Sequence, residues 1–149
     1  MSSLFDAATA DAALQRIQDL SPDAAPQWGT MGPAQMLAHC AVGLELATGQ
    51  REMKRMFMGR ILGGIVKKVA LSPKPFKQGL PTGPDFLVKD ERDFDAEQER
   101  LLALVRAFQE GGTAGVTSVP HPFFGKMSPE QWDFLMWKHL DHHLGQFGV

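Results

Sequence analysis

The sequence contains a single cysteine, Cys40, among its 149 residues. One cysteine cannot form an internal disulfide, so the chain does not fit the small disulfide-stabilised classes. Its first residues, MSSLFDAATADAALQ, also lack the basic start and the apolar run of a secretory signal. These absences favour a reducing compartment, and we expect a cytoplasmic protein.

Long apolar runs and an excess of one charge are also missing. The formal net charge is −2, which provides no general attraction to nucleic acid or to anionic lipid. A membrane-spanning helix needs about 20 apolar residues, and the nearest candidate, residues 56–71, contains Arg60, Lys67 and Lys68. We therefore expect no nucleic-acid partner and no membrane partner.

The composition is that of a globular chain, with 44% hydrophobic and 21% charged residues. A chain of this length buries a sizeable core and usually forms one domain. No internal repeat or low-complexity tract divides it. We expect residues 1–149 to form a single domain.

Periodic apolar residues predict two helices in the first third of the chain. The first spans Leu4 to Leu20. The second spans residues 31–49, with Thr30 as its N-cap, Pro33 in its first turn and Gly49 at its C-terminal end.

An extra helix and then a long loop are predicted in the middle of the chain. Residues 51–71 are rich in methionine and in basic residues, although three glycines weaken the helical pattern. We favour a helix that covers the protein and leaves its basic face in contact with solvent. The alternative is an amphipathic helix that binds membranes or acidic partners. Residues 72–90 are dense in proline and glycine, which predicts an ordered loop.

Two further helices are predicted in the last third. Asp93 caps one that runs to about Glu110, and the motif SPEQ at 128–131 starts another that runs to about Phe147. No convincing strand pattern occurs. The expected fold class is all-α: an antiparallel four-helix bundle, with the extra helix and the loop rich in proline and glycine between its second and third principal helices.

Three of the five histidines lie within five positions of the last helix. His139 and His143 are four residues apart, so their imidazoles project from one face, within an apolar stripe. His142 falls on the side of Lys138 and Asp141, and we expect it to be solvated. Two imidazoles one turn apart can chelate one metal ion, although such pairs also occur on ordinary surfaces.

His39, in the second helix, is the candidate for a third ligand because it is the only other helical histidine. The alternative is a core histidine with a hydrogen-bond partner. Gln35, one turn earlier, is a candidate to orient it or to join two helices. Cys40 diverges from His39 by about 100° and is expected to be a packed thiol. Three neutral imidazoles would leave positions open on zinc, nickel or iron(II).

These motifs, QMLAHC in the second helix and HLDHHLGQ in the last, resemble the DinB/YfiT-like superfamily of metal-binding four-helix bundles. The longer segments WGTMGPAQMLAHC and HPFFGKMSPEQW resemble a bacterial branch of this superfamily whose function is unknown. The resemblance implies a divalent-metal site formed by His39, His139 and His143. Members of the superfamily include thiol-dependent transferases and isomerases, and many are dimers. The arginine that often precedes the glycine is Leu144 here, so a role for that cation is not expected.

The preferred interpretation is a metal-dependent enzyme in which these three histidines hold one zinc, nickel or iron ion. The ion would activate water or a small thiol, so that a homodimeric hydrolase or thiol-dependent transferase acts on a small molecule. The alternative is a non-catalytic binding or dimerisation scaffold whose metal is structural or vestigial. His121 lies between two prolines, and three roles are open to it: a fourth metal ligand, a catalytic acid/base, or part of an aromatic plug with Phe123 and Phe124. We favour the plug, because aromatic residues flanked by prolines commonly fix a loop.

Overall fold

The computed structural model describes all 149 residues and consists of helices and their connections. The five α-helices are α1 (Ala7–Asp19), α2 (Pro33–Ala47), α3 (Phe57–Ala70), α4 (Phe94–Gly111) and α5 (Pro129–Gln146). Short 3₁₀ turns occupy Pro84–Phe86 and Gly112–Gly115. No strand forms, and one isolated antiparallel bridge joins His121 to Gly125. The predicted all-α class is confirmed.

Local capping explains where most of these helices begin. The Asp93 side chain accepts a hydrogen bond from the Ala96 N–H, and Ser128 and Gln131 form the predicted capping box. Thr30 is not the cap of α2, so that prediction was wrong. Gly32 takes the position instead, because Pro33 is the first helical residue and fixes the start.

Helices α1, α2, α4 and α5 pack around one core, in which α2 and α1 each contact both α4 and α5. The core contains 23 buried apolar residues. Helix α2 is the most enclosed, with nine of its 15 residues buried. Cys40 lies in this core, as predicted, and burial raises the pKa of its thiol. The position of α2 is what carries His39 into the interior.

Helix α3 lies outside this group and is shorter than predicted, since residues 51–56 are not helical. It contacts the loop before α5 through Gly59 and Gly63. A Cβ atom at either position would lie 2.5 Å or 2.3 Å from the Phe123 carbonyl oxygen. Two of the glycines that weaken the helical pattern are therefore required for the contact.

The large apolar side chains of α3 lie in solvent rather than in the core. Seven of them are exposed, from Phe57 at 73% to Val66 at 38%. Arg60 and Lys68 are solvated, as expected of the covering helix, but the helix does not cover the protein with its apolar side. The reason is that the contact uses the narrow glycine edge of the helix, which leaves the wider apolar face free. None of the helices has both the length and the apolar character needed to cross a bilayer.

The C-terminal end of α3 is fixed by Lys138 of α5. Its Nζ donates to the carbonyl oxygens of Ala70 and Ser72, each at 2.8 Å, and lies 4.4 Å from the centre of the Phe76 ring. A cation at a helix C-terminus meets carbonyls that have no partner within the helix. Lys138 is only 5% exposed, so the expected solvated side of α5 is covered at this point.

We predict opposite effects for alanine at two adjacent glycines of α3. Gly63→Ala forces a Cβ against the Phe123 backbone, and overpacking of this kind costs about 1–3 kcal/mol. Gly64→Ala meets nothing within 4 Å and should stabilise the helix by about 0.5–1 kcal/mol. Hydrogen exchange of the α3 amides should be faster in the first variant and slower in the second. Equal exchange in the two variants would contradict the glycine contact.

Candidate metal centre

The structure brings together the three histidines that the sequence selected. His39 of α2 and His139 of α5 face each other with their Nε2 atoms 2.9 Å apart. One ring nitrogen from each of His39, His139 and His143 lies within 4.8 Å of the other two, so the group could hold a metal ion. Nitrogens that share one ion at about 2.0–2.1 Å lie roughly 3 Å apart. The 2.9 Å between His39 and His139 therefore suits two ligands of one ion, and His143 lies close to both.

Hydrogen bonds fix the tautomers of two of these imidazoles. The Nδ1 atom of His39 lies 2.8 Å from the Phe86 carbonyl oxygen, which can only accept. The Nδ1 atom of His143 lies 2.9 Å from Oε1 of Gln146, whose amide nitrogen donates to the Trp28 carbonyl. Each Nδ1 therefore carries the hydrogen, and each Nε2 keeps a lone pair for a ligand bond.

The groups that orient the ligands are not those expected. Gln35 makes no hydrogen bond to His39, because its Oε1 caps Gly32 and its Nε2 donates to the Asp90 carbonyl. The orienting carbonyl comes from Phe86, 47 residues away in the chain, and carries no sequence signal. Gln146 could have been found from the sequence, because it lies three residues after His143 and so on the same helix face.

Burial keeps the clustered imidazoles neutral at pH 7. Desolvation lowers the pKa of His39, lowers that of His139 well below its usual value, and lowers that of His143 to about 3. The mutual repulsion of the charged forms adds to the effect at His139 and His143. Neutral imidazole is the form that binds metals. The cluster is therefore in its ligating state at neutral pH.

A cavity of about 680 Å³ reaches the three histidines. It lies between α2, α3, α5 and the connection 71–93, and its wall is mainly aromatic and aliphatic. No aspartate, glutamate, lysine or arginine lines it, and all five histidines do. The residues that line it thus carry no full charge, and apart from the imidazoles the polar ones include Thr30, Thr82 and Gln146.

His121 lies in the cavity wall but outside the cluster of three. Its Nδ1 accepts hydrogen bonds from the N–H groups of Phe123 and Phe124, and its ring stacks on Phe124 at 4.5 Å. Burial and the nearby Arg55 charge lower its pKa to about 4. These contacts are those of the aromatic plug, and Nδ1 is not free to act as a base. A catalytic role for His121 stays a prediction.

His142 is not solvated as expected. It is only partly exposed, and its ring lies 5.5 Å from Trp28 and 5.7 Å from Phe76. The reason is that the chain after α3, held by Lys138, covers this side of α5. Burial lowers the pKa of His142 as well. It is a neutral wall residue beside the cluster.

One buried donor in the cavity wall has no protein acceptor. The side chain of Trp132 is 1% exposed, and its Nε1–H makes no hydrogen bond. A buried polar group left unpaired costs about 1–3 kcal/mol. Trp132 also lines the cavity, but the nitrogen itself has almost no accessible surface.

Comparison with known proteins gives one family. A family model described as "Protein of unknown function (DUF1569)" matches residues 3–148. No curated protein and no solved structure matches the chain. The matched range includes every residue of the histidine cluster and of the cavity wall.

We predict that the metal-free protein loses stability on acidification below about pH 6.5. All five histidines have lowered pKa values in the folded state, so between about pH 6.5 and 4 the unfolded chain binds more protons. Each such group contributes up to about 1.4 kcal/mol per pH unit, and nothing above its unfolded pKa. Urea unfolding in a chelator at several pH values measures this. His143→Gln should reduce the slope of the free energy of unfolding against pH. An unchanged slope would contradict the lowered pKa of His143.

Proposed function

The chain belongs to the DUF1569 family, whose description states no activity, and we propose from the geometry of the site that it is a metal-dependent enzyme. In this proposal His39, His139 and His143 bind one divalent ion: zinc, nickel or iron(II). The observation that carries it is the meeting of three neutral imidazoles at the end of a cavity of about 680 Å³. Three protein ligands leave a position for substrate, whereas structural sites are closed by four.

The chemistry proposed is the activation of water or of a small thiol, in a hydrolase or a thiol-dependent transferase. A divalent ion bound by three imidazoles lowers the pKa of such a group toward neutrality and supplies a nucleophile. Around it, the Phe86 carbonyl and Gln146 keep the Nδ1 hydrogens of His39 and His143 in place. No carboxylate in the wall competes for the open position.

The cavity wall also limits the class of substrate. Because the wall has no Lys, Arg, Asp or Glu, it offers no ion pair to a charged group. Aromatic and aliphatic side chains in the wall favour an apolar body. We therefore propose an uncharged, largely apolar substrate that carries an electrophilic group to the histidines.

We further propose that α1, α2, α4 and α5 form the antiparallel four-helix bundle of the DinB/YfiT-like superfamily, and that the chain is a member. The packing of these helices supports this, as does the origin of the ligands in the second and the last helix. Helix α3 and the connection 71–93 are then an insertion that closes one side of the cavity.

The competing function is a scaffold with a structural metal. Metal removal separates the two, because the 23-residue core does not include the histidines. If the site is catalytic, a chelator should release the ion and leave the helical circular dichroism spectrum intact. Unfolding on metal removal would favour the scaffold.

We predict that His139→Gln abolishes metal retention. This ligand lies 2.9 Å from His39 across the helix interface, and its loss leaves two imidazoles. Changes to the groups that orient a ligand already lower metal affinity by about 10–100-fold. Loss of the ligand itself should therefore lower it by about 100-fold or more. His142→Gln is the matched control, since it changes a neighbouring histidine outside the cluster. Metal analysis after dialysis should give about one equivalent in the wild type and the control, and none in His139→Gln. Equal metal content in all three would refute the site.

We predict that turnover requires the ion and the intact cluster. The wild type, loaded separately with zinc, nickel or iron(II), should process apolar aryl esters in water, or apolar electrophiles only when a small thiol is added. His139→Gln should lose this activity by a factor of 100 or more, and His142→Gln should retain most of it. Thiol dependence identifies a transferase, and turnover without a thiol a hydrolase. Equal rates in chelated and metal-loaded protein would contradict metal catalysis.

A further inference from the structure

The outward face of α3 is the main apolar patch on the protein surface. Eleven large hydrophobic residues are exposed in the whole chain, and seven of them lie on this one helix. They are Phe57, Met58, Ile61, Leu62, Ile65, Val66 and Val69. Two more, Leu80 and Leu87, lie in the connection that follows it. Contiguous exposed apolar surface of this kind marks an interaction site.

Positive charge is concentrated around the same helix. Residues 51–77 contain eight of the 15 lysines and arginines of the chain, and only one acid, Glu52. The remainder of the chain therefore has seven basic and 16 acidic residues. Within α3 itself, Arg60, Lys67 and Lys68 accompany the apolar face, and no acid is present. The near-neutral net charge thus hides a strongly basic region.

We propose that α3 docks the protein on an anionic membrane surface. A helix with a wide apolar face flanked by lysines and arginines is suited to lie in the plane of the lipid headgroups, with the apolar face among the acyl chains. The basic residues are complementary to anionic headgroups. A second copy of the chain fits less well, because it would bring two such basic regions together.

The helix is held in place before it meets the membrane. Gly59 and Gly63 contact the Phe123 backbone, and Lys138 binds the carbonyls at its end. Docking therefore needs no folding of α3, and the entropy cost of ordering it is already met. Its apolar face forms a convex ridge, which a fluid acyl layer can accommodate without a matching groove.

The docking face is also one wall of the cavity. Val66 and Val69 are exposed on α3 and line the cavity that reaches the histidines, as do Leu80 and Leu87. On an anionic membrane the mouth of the cavity would lie at the headgroup level. Entry of an apolar substrate from the lipid rests on the proposed function, whereas the docking itself does not.

Vesicle sedimentation tests the proposal with the full-length protein. Binding should be strong to vesicles that contain phosphatidylglycerol, weak to pure phosphatidylcholine, and reduced by added salt. Ile61→Gln together with Ile65→Gln keeps good helix formers and removes apolar surface, and should lower binding about tenfold or more. Lys68→Glu should lower it at least about fivefold.

Two matched controls keep these changes interpretable. Val119→Gln removes an exposed apolar side chain outside α3, and Arg106→Glu makes the same charge change on α4. Both should bind vesicles as the wild type does. Unchanged circular dichroism and metal content in the α3 variants establish that fold and site persist, so a failure of docking is distinct from a failure of the proposed function.

Three outcomes would overturn the proposal. The first is no binding to anionic vesicles at low salt. The second is binding that the α3 variants and the controls reduce equally. The third is a dimer, seen by light scattering, that Ile61→Gln and Ile65→Gln dissociate while no vesicle binding occurs; the face would then belong to a second copy of the chain.

Discussion

The contact between His39 and His139 is the constraint on which the site depends. Their Nε2 atoms lie 2.9 Å apart at the interface of α2 and α5, where the surroundings disfavour a charged imidazole. Two such nitrogens can approach only if at most one hydrogen lies between them. The Phe86 carbonyl holds the hydrogen of His39 on Nδ1, so its Nε2 meets His139 without one. A buried imidazole without such a partner would cost stability.

That requirement links parts of the chain that are otherwise peripheral to the packed helices. The turn Pro84–Phe86 belongs to the connection between α3 and α4, and the Trp28 carbonyl that orients Gln146 belongs to the segment before α2. Both segments also line the cavity. The same residues therefore shape the space for a bound molecule and fix the hydrogens of the histidines.

Helix α3 illustrates a limit of sequence patterns. Its alternation of apolar and basic residues predicts an amphipathic helix, and a helix of that type forms. The pattern does not distinguish an apolar face that is buried from one that is exposed, because both give the same period. The contact through Gly59 and Gly63 decided the matter, since it leaves the large apolar side chains outside the core. In the sequence alone those glycines indicate only a weakened helix.

The sequence by itself determined the features that depend on neighbours in the chain. Asp93, Ser128 and the proline at position 33 set helix starts, and the four-residue spacing of His139 and His143 placed both rings on one face. Tertiary structure decided the rest: the carbonyl that meets His39, the burial of Lys138 and the cover over His142. These contacts join segments tens of residues apart, and they form because burial forces each polar group to find a partner wherever packing brings one.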